Sequence, residues 1–106
     1  MMRVFGSFLL LGCCVAMSCN AEPDRYAPPD GYVPDAATAI KIAVAVWEPI
    51  YGREHIERMK PFEARLHDGV WTVIGSLPDD PNLNGGVPEA DIAKKDGRIL
   101  RVIHGK

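Results

Sequence analysis

All three cysteines of the 106-residue chain, Cys13, Cys14 and Cys19, fall in the stretch LLGCCVAMSCNAE, Leu10 to Glu22. Three thiols within seven residues have the chemistry to hold a soft metal. Thiolate sites, however, draw on a second Cys or His group at a fixed spacing, and here the neighbours are small or apolar. An export signal accounts for the same residues better. Arg3 supplies a positive start, Val4 to Met17 a short apolar run, and Ser18, Cys19, Asn20 and Ala21 the small residues a signal peptidase requires. The apolar run is short for a membrane span. Two cleavages compete. Ordinary processing after Ala21 removes residues 1–21; alternatively Ala16-Met17-Ser18-Cys19 is a degenerate lipoprotein box, residues 1–18 are removed, and Cys19 is acylated as the new N-terminus. Both routes make the cysteines an address, so the expectation is an exported protein, periplasmic or held at the membrane only through a lipid on Cys19.

The other chemistry-bearing residues are scattered. His55, His67 and His104 show no metal-ligand spacing and read as surface histidines. Glu54, Glu57 and Glu63 read as a solvated face and not as an acid/base pair. Ser76 lacks the glycine-flanked turn that exposes a nucleophilic serine, and Ser7 and Ser18 lie within the export segment. Gly85-Gly86 stands at a strand entrance and not before a helix, so it reads as a turn or bulge and not as a phosphate loop. Trp47, Trp71, Phe62 and Tyr51 could line a pocket, but a small domain needs such side chains in its core. No catalytic residue, metal site or cofactor site is therefore expected. The acidic, turn-rich loop PDDPNLNGG remains, and its Asp79, Asp80, Asn82 and Asn84 are the exposed candidates for recognising a protein partner.

Removing Arg3 turns the formal charge of −2 into −3, with acidic and basic residues interspersed. This balance argues against nucleic acid as a partner and leaves room for a basic protein. No disulfide is available to the exported chain, so one domain of about 85 residues must rest on a well-packed apolar core. Residues 22–34, EPDRYAPPDGYVP, hold four prolines and a glycine and read as an extended tether without helix or strand.

From Asp35 the period is helical. Ala36, Ala37, Ala39, Ile40, Ala43, Val44, Trp47 and Tyr51 recur at helical spacing behind an Asp35 N-cap, and Ile42, Ala45 and Val46 widen the apolar face enough to predict a helix clasped by a sheet. Pro49 and Gly52 kink and end it. The segment REHIERMK predicts at most a short second helix before Pro61. Thereafter the period is two. Phe62 to Leu66 and Val70 to Leu77 are joined by His67-Asp68-Gly69, and Val87 to Lys94 and Arg98 to His104 by Lys95-Asp96-Gly97, two hairpins of one kind. In the last strand Leu100 and Val102 are expected on one face, and Ile99, Arg101 and Ile103 on the other. The fold class is α+β: one long helix, with a short second one, packed on a four-stranded antiparallel meander. The uncovered sheet face must meet solvent, ligand or partner.

Several segments in series, AIKIAVAVWEPIYG, KPFEARLHDGVWTVIGSLP and GGVPEADIAKKDGRILRVIHGK, resemble in order and spacing the bacterial immunity proteins with a nuclear-transport-factor-2-like fold, found beside polymorphic toxin genes. The resemblance runs from about Val33 to Lys106 and marks residues 35–106 as an immunity-like domain. It implies a small cystatin-like or nuclear-transport-factor-2-like cone and a non-catalytic protein that binds and neutralises a toxin by occlusion, and it transfers no catalytic residue. Export would direct it to a toxin acting outside the cytoplasm. Two alternatives stay open: a small-ligand-binding or enzyme-type member of the same superfold, and a periplasmic inhibitor of hydrolases.

Overall fold

A computed structural model describes residues 24–78 and 85–106. Asp35 opens the long helix α1 (Ala36–Tyr51) with a side-chain cap: Thr38 donates to its Oδ1 from the backbone N at 2.8 Å and from Oγ1 at 2.7 Å. Pro49 lies in the last turn, and Gly52 ends the helix by donating its N–H to Glu48 O at 2.9 Å. A five-residue helix, α2 (Arg53–Glu57), follows at once. The strands are β1 (Glu63–His67), β2 (Val70–Ile74), β3 (Pro88–Ala93) and β4 (Ile99–His104), paired antiparallel in the order β1-β2-β3-β4. The protein is thus a long helix and a short one packed on a four-stranded antiparallel meander, as its patterning predicts. None of the described helices is long and apolar enough to cross a membrane.

Between β1 and β2, His67 pairs with Val70, so Asp68 and Gly69 are the whole turn. Both have positive φ (49° and 75°), the conformation whose twist suits a two-residue hairpin and which Asp-Gly adopts readily. The last strand departs from simple alternation. Asp91 pairs with Arg101, but Ile92 pairs with Ile99, which leaves Leu100 as the extra residue of a bulge. Ile99 is therefore opposite the buried Ile92 and does not continue the row of Arg101 and Ile103. One inserted residue shifts the period-two pattern beyond it, and nothing in ILRVIH marks where the insertion falls.

The core lies between α1 and one sheet face. Ala39, Ala43 and Trp47, spaced four apart along α1, are wholly buried against Trp71 and Val73 of β2 and Ala90 and Ile92 of β3, with Ile56 of α2 at one side. The small alanines let helix and sheet approach closely, and Trp47 fills the wider end of the wedge, its ring edge-on to Phe62 at 5.6 Å between centroids. The face that α1 buries is narrower than its composition suggests. Ala37, Ala45 and Ile50 are exposed, because one sheet covers one side of the helix and does not clasp it.

The proline-rich segment is also more than a spacer. Residues 24–34 form no helix or strand, yet Val33 is a core residue at 1% exposure. The N–H groups of Tyr32 and Val33 donate to Lys95 O and Lys94 O, each at 3.0 Å, and the indole of Trp71 donates to Val33 O at 2.8 Å. Residues 30–34 therefore strap the chain to the β3–β4 turn. Asp30 and Gly31 lie against the same turn: Lys94 Nζ donates to Asp30 O, and a Cβ on Gly31 would overlap the Lys94 carbonyl, so the backbone donors the strap needs come from its non-proline residues.

Candidate functional site

The helix layer covers one face of the sheet; the other is open among the described residues, and register sets what it displays. Two rows cross all four strands, Glu63-Ile74-Glu89-Ile103 and Arg65-Thr72-Asp91-Arg101. Three carboxylates and two guanidiniums thus share a surface with two isoleucines. Arg101 is its best-fixed charge: Nε donates to Asp91 Oδ2 at 2.8 Å and Nη2 to Glu89 Oε2 at 2.7 Å. Asp91 is held in turn by Thr72, whose hydroxyl donates to Oδ1 at 2.8 Å. These bonds, the one from Arg101 first, hold the Asp91 carboxyl below its ordinary value although partial burial opposes them, and the same pair of carboxylates raises the Arg101 guanidinium further. A planar guanidinium gripped at two edges keeps one orientation. Beside it, Ile103 is 43% exposed. A hollow of about 320 Å³ lies at the β1–β2 side, lined by Glu63, Arg65, Ile74, Gly75 and Ser76.

A second hollow, about 430 Å³, lies between the strap and the hairpin ends, lined by residues 27–32 with Gly69, Lys94, Lys95 and Asp96. Among the described residues, large side chains occupy the helix–sheet interior: Trp47, Ile56, Val73 and Ile92 are buried to 0% exposure and Trp71 to 7%. Ser76 is structural in its surroundings. Its hydroxyl donates to Pro61 O and its N–H to Met59 O, both at 2.7 Å, which ties the segment after α2 to the end of β2.

Of the residues singled out by sequence, Cys19, Asp79, Asp80, Asn82 and Asn84 lie outside the described residues. Glu54, Glu57 and Glu63 do not converge: Glu57 pairs with Lys60 at 2.7 Å and Glu63 with Arg65 at 3.4 Å, all exposed. His67 is exposed at the end of β1, beside Asp68. Reading the histidines as three unrelated surface residues fails for the other two. His55 of α2 and His104 of β4 are half-buried with Nε2 atoms 2.9 Å apart. Forty-nine residues separate them in the chain, and only the return of β4 beneath the helix layer joins them. Gly86 is placed by an equally distant contact. A Cβ added at Gly105 would come within 2.8 Å of the Gly86 Cα, and the two backbones touch where β4 ends. This is a close backbone approach, one of the reasons a strand-entrance glycine can have.

Helix-on-meander architecture with one open, charged sheet face defines a small α+β domain. Residues 38–106 match the model of the NTF2 fold immunity proteins, and the chain belongs to that family. It is also 36% identical over 74 residues to the uncharacterized protein YhhH of Escherichia coli strain K12. That alignment covers 70% of this chain and 58% of YhhH, so the chain spans a little over half the length of this curated relative. No solved structure matches it.

Proposed function

We propose that this protein is an exported immunity protein that neutralises its toxin by occlusion, turning over no substrate, and that the open sheet face together with the loop from Pro78 to Gly86 forms the contact. The observation that carries the reading is the outer face itself, where Arg101, Asp91, Glu89 and Thr72 are locked to one another beside exposed Ile103. Preorganised charges flanked by apolar side chains are what a specific protein contact uses, because little side-chain entropy is lost on docking. Filling of the helix–sheet interior by Trp47, Trp71 and Ile92 weighs against the ligand-binding alternative, whose members need that space. The export signature at residues 1–21 points to a toxin acting outside the cytoplasm, on the cell wall or membrane, and Cys19 is the residue that would carry a lipid.

The test is protection of cells that express the toxin encoded beside this gene. A tight complex should bury at least about 1,000 Å². Arg101→Glu, and separately Asp79→Lys with Asp80→Lys, should each reduce protection while the purified variants keep a wild-type circular dichroism spectrum. Full protection by both variants would move the contact elsewhere on the molecule. Equal growth with the gene deleted, in a genome without a neighbouring toxin, would overturn the immunity reading in favour of ligand binding.

A further inference from the structure

The His55–His104 contact joins two half-buried titratable groups that the proposed toxin contact does not use. Its geometry settles which protons it holds. His104 Nδ1 lies 2.7 Å from Gly105 O. A carbonyl can only accept, so Nδ1 carries the proton and His104 Nε2 presents a lone pair. His55 Nε2, 2.9 Å away, is then the donor. The ring centroids are 5.0 Å apart, little less than the N···N distance extended by the two ring radii, so the rings meet nearly end-on. That is an N–H···N hydrogen bond and not a pair of lone pairs converging on a shared ion. Among the described residues no three His, Cys, Asp or Glu side chains are grouped to ligate a metal.

The pair is built into the frame on both sides. Tyr51, the last residue of α1, sets its ring against that of His104, 4.9 Å between centroids in an edge-to-face arrangement. Beyond His104, Gly105 donates its N–H to Val87 O at 3.2 Å and lies against Gly86. One hydrogen bond thus joins α2 to the end of β4 and, through Gly105, to the entrance of β3. We propose that His55 and His104 form an acid-operated latch, closed while they share a single proton between their Nε2 atoms and opened when both nitrogens are protonated.

The charge balance follows from the surroundings. The groups facing the pair are Tyr51 from α1, Arg58 just after α2, and each histidine from the other's element. None is a carboxylate. Desolvation first, then the neighbouring His104 and the Arg58 cation, lowers the His55 pKa from the ordinary 6.5. The proton that opens the latch goes onto His104 Nε2, the acceptor: it puts two N–H groups face to face with a positive charge on one of them, which neither ring can relieve without turning away, whereas a proton on the free Nδ1 of His55 adds a second charge beside it. Because the folded value of His55 is lowered, the unfolded chain protonates that residue first, and the desolvated contact is weakened as the pH falls. The latch therefore stabilises the fold fully above about pH 6.5 and loses its contribution as the pH falls toward and through the folded value.

The test compares wild type with His55→Gln and His104→Gln, each purified as the cell processes it. Between about pH 7.5 and pH 5, the range over which histidine changes charge, the wild-type melting midpoint should fall more than that of either variant, and the three should converge at the acid end. Should the variants fold poorly, the wild type alone decides. Nitrogen chemical shifts should place the neutral-pH proton on Nδ1 of His104 and Nε2 of His55. The exchange protection of the Gly105 amide should drop on acidification, in step with loss of the His55–His104 bond. Independent titration of the two rings at ordinary values, with unchanged protection at Gly105 and parallel melting profiles, would overturn the proposal.

Discussion

Trp71 shows how one side chain serves two layers. Its ring lies in the core beside β3, and its indole N–H reaches the carbonyl of Val33 in the strap. Trp71→Ala should cost ~3–5 kcal/mol, a large share of the stability of a domain this size. Trp71→Phe keeps most of the apolar bulk but leaves Val33 O without its buried donor, and should cost about 1–3 kcal/mol; urea denaturation of the two variants separates packing from hydrogen bonding. Asp91 gives a pH dependence of defined sign. Its folded pKa lies below the ordinary 3.8, so its stabilising effect is present above that value and is lost as the pH falls through the folded one. Asp91→Asn should therefore be less stable than wild type at neutral pH and lose less on further acidification below about pH 4, a difference readable from denaturation midpoints at the two ends.

At the scale of elements, the ends of β3 and β4 depend on two glycines meeting. A Cβ at Gly86 would overlap the Gly105 backbone, and neither partner is a flexible side chain that could swing aside. Gly86→Ala should cost about 1–3 kcal/mol, as overpacking of a closed site does, whereas Gly52→Ala meets no atom within 4 Å and should suffer only from its positive φ of 97°. Melting curves of the pair distinguish the two causes. The elements themselves were legible in the sequence because each carries its own local code: Asp35 as cap, the spacing of Ala39, Ala43 and Trp47, the His67-Asp68-Gly69 hairpin signal, from which the structure takes His67 into β1 and leaves Asp68-Gly69 as the turn, and the alternation around Trp71 and Val73. Features that join distant segments were not legible. The Leu100 bulge, the Gly86–Gly105 approach and the His55–His104 bond have no local pattern, since each depends on where another strand or helix comes to rest. The outer-face network lies between these extremes. The strands and their polar residues are readable, but the pairing of Arg101 with Asp91 required the register.

For the molecule as a whole, the boundary of the fold precedes the family match at residue 38. Burying Val33 should contribute about 1.5–3 kcal/mol, as full burial of a valine does, and its carbonyl holds the Trp71 indole. A chain beginning at Asp35 should accordingly melt well below one beginning at Asp24, and equal midpoints would show the strap to be dispensable. Mass spectrometry of the processed protein reads the N-terminus directly. Glu22 is expected after ordinary cleavage and a lipid-bearing Cys19 after lipoprotein processing; an intact Met1 on the protein isolated from cells would refute export.

The strap also sets a direction. It leaves the domain at the end of the sheet that holds the Asp68-Gly69 turn and Lys94 to Asp96, while the connection from Leu77 to Gly86 and the C-terminus issue from the opposite end. On a chain leashed to a bilayer through residue 19, that attachment works as a stem fastened at the base of the sheet. The end of the sheet that holds Ile74, Pro88 and His104 would be carried outward on the far side of the domain. A tug on the leash would fall first on the bonds of Tyr32 and Val33 to Lys95 and Lys94, and on the Trp71 indole, before any strand of the sheet is loaded.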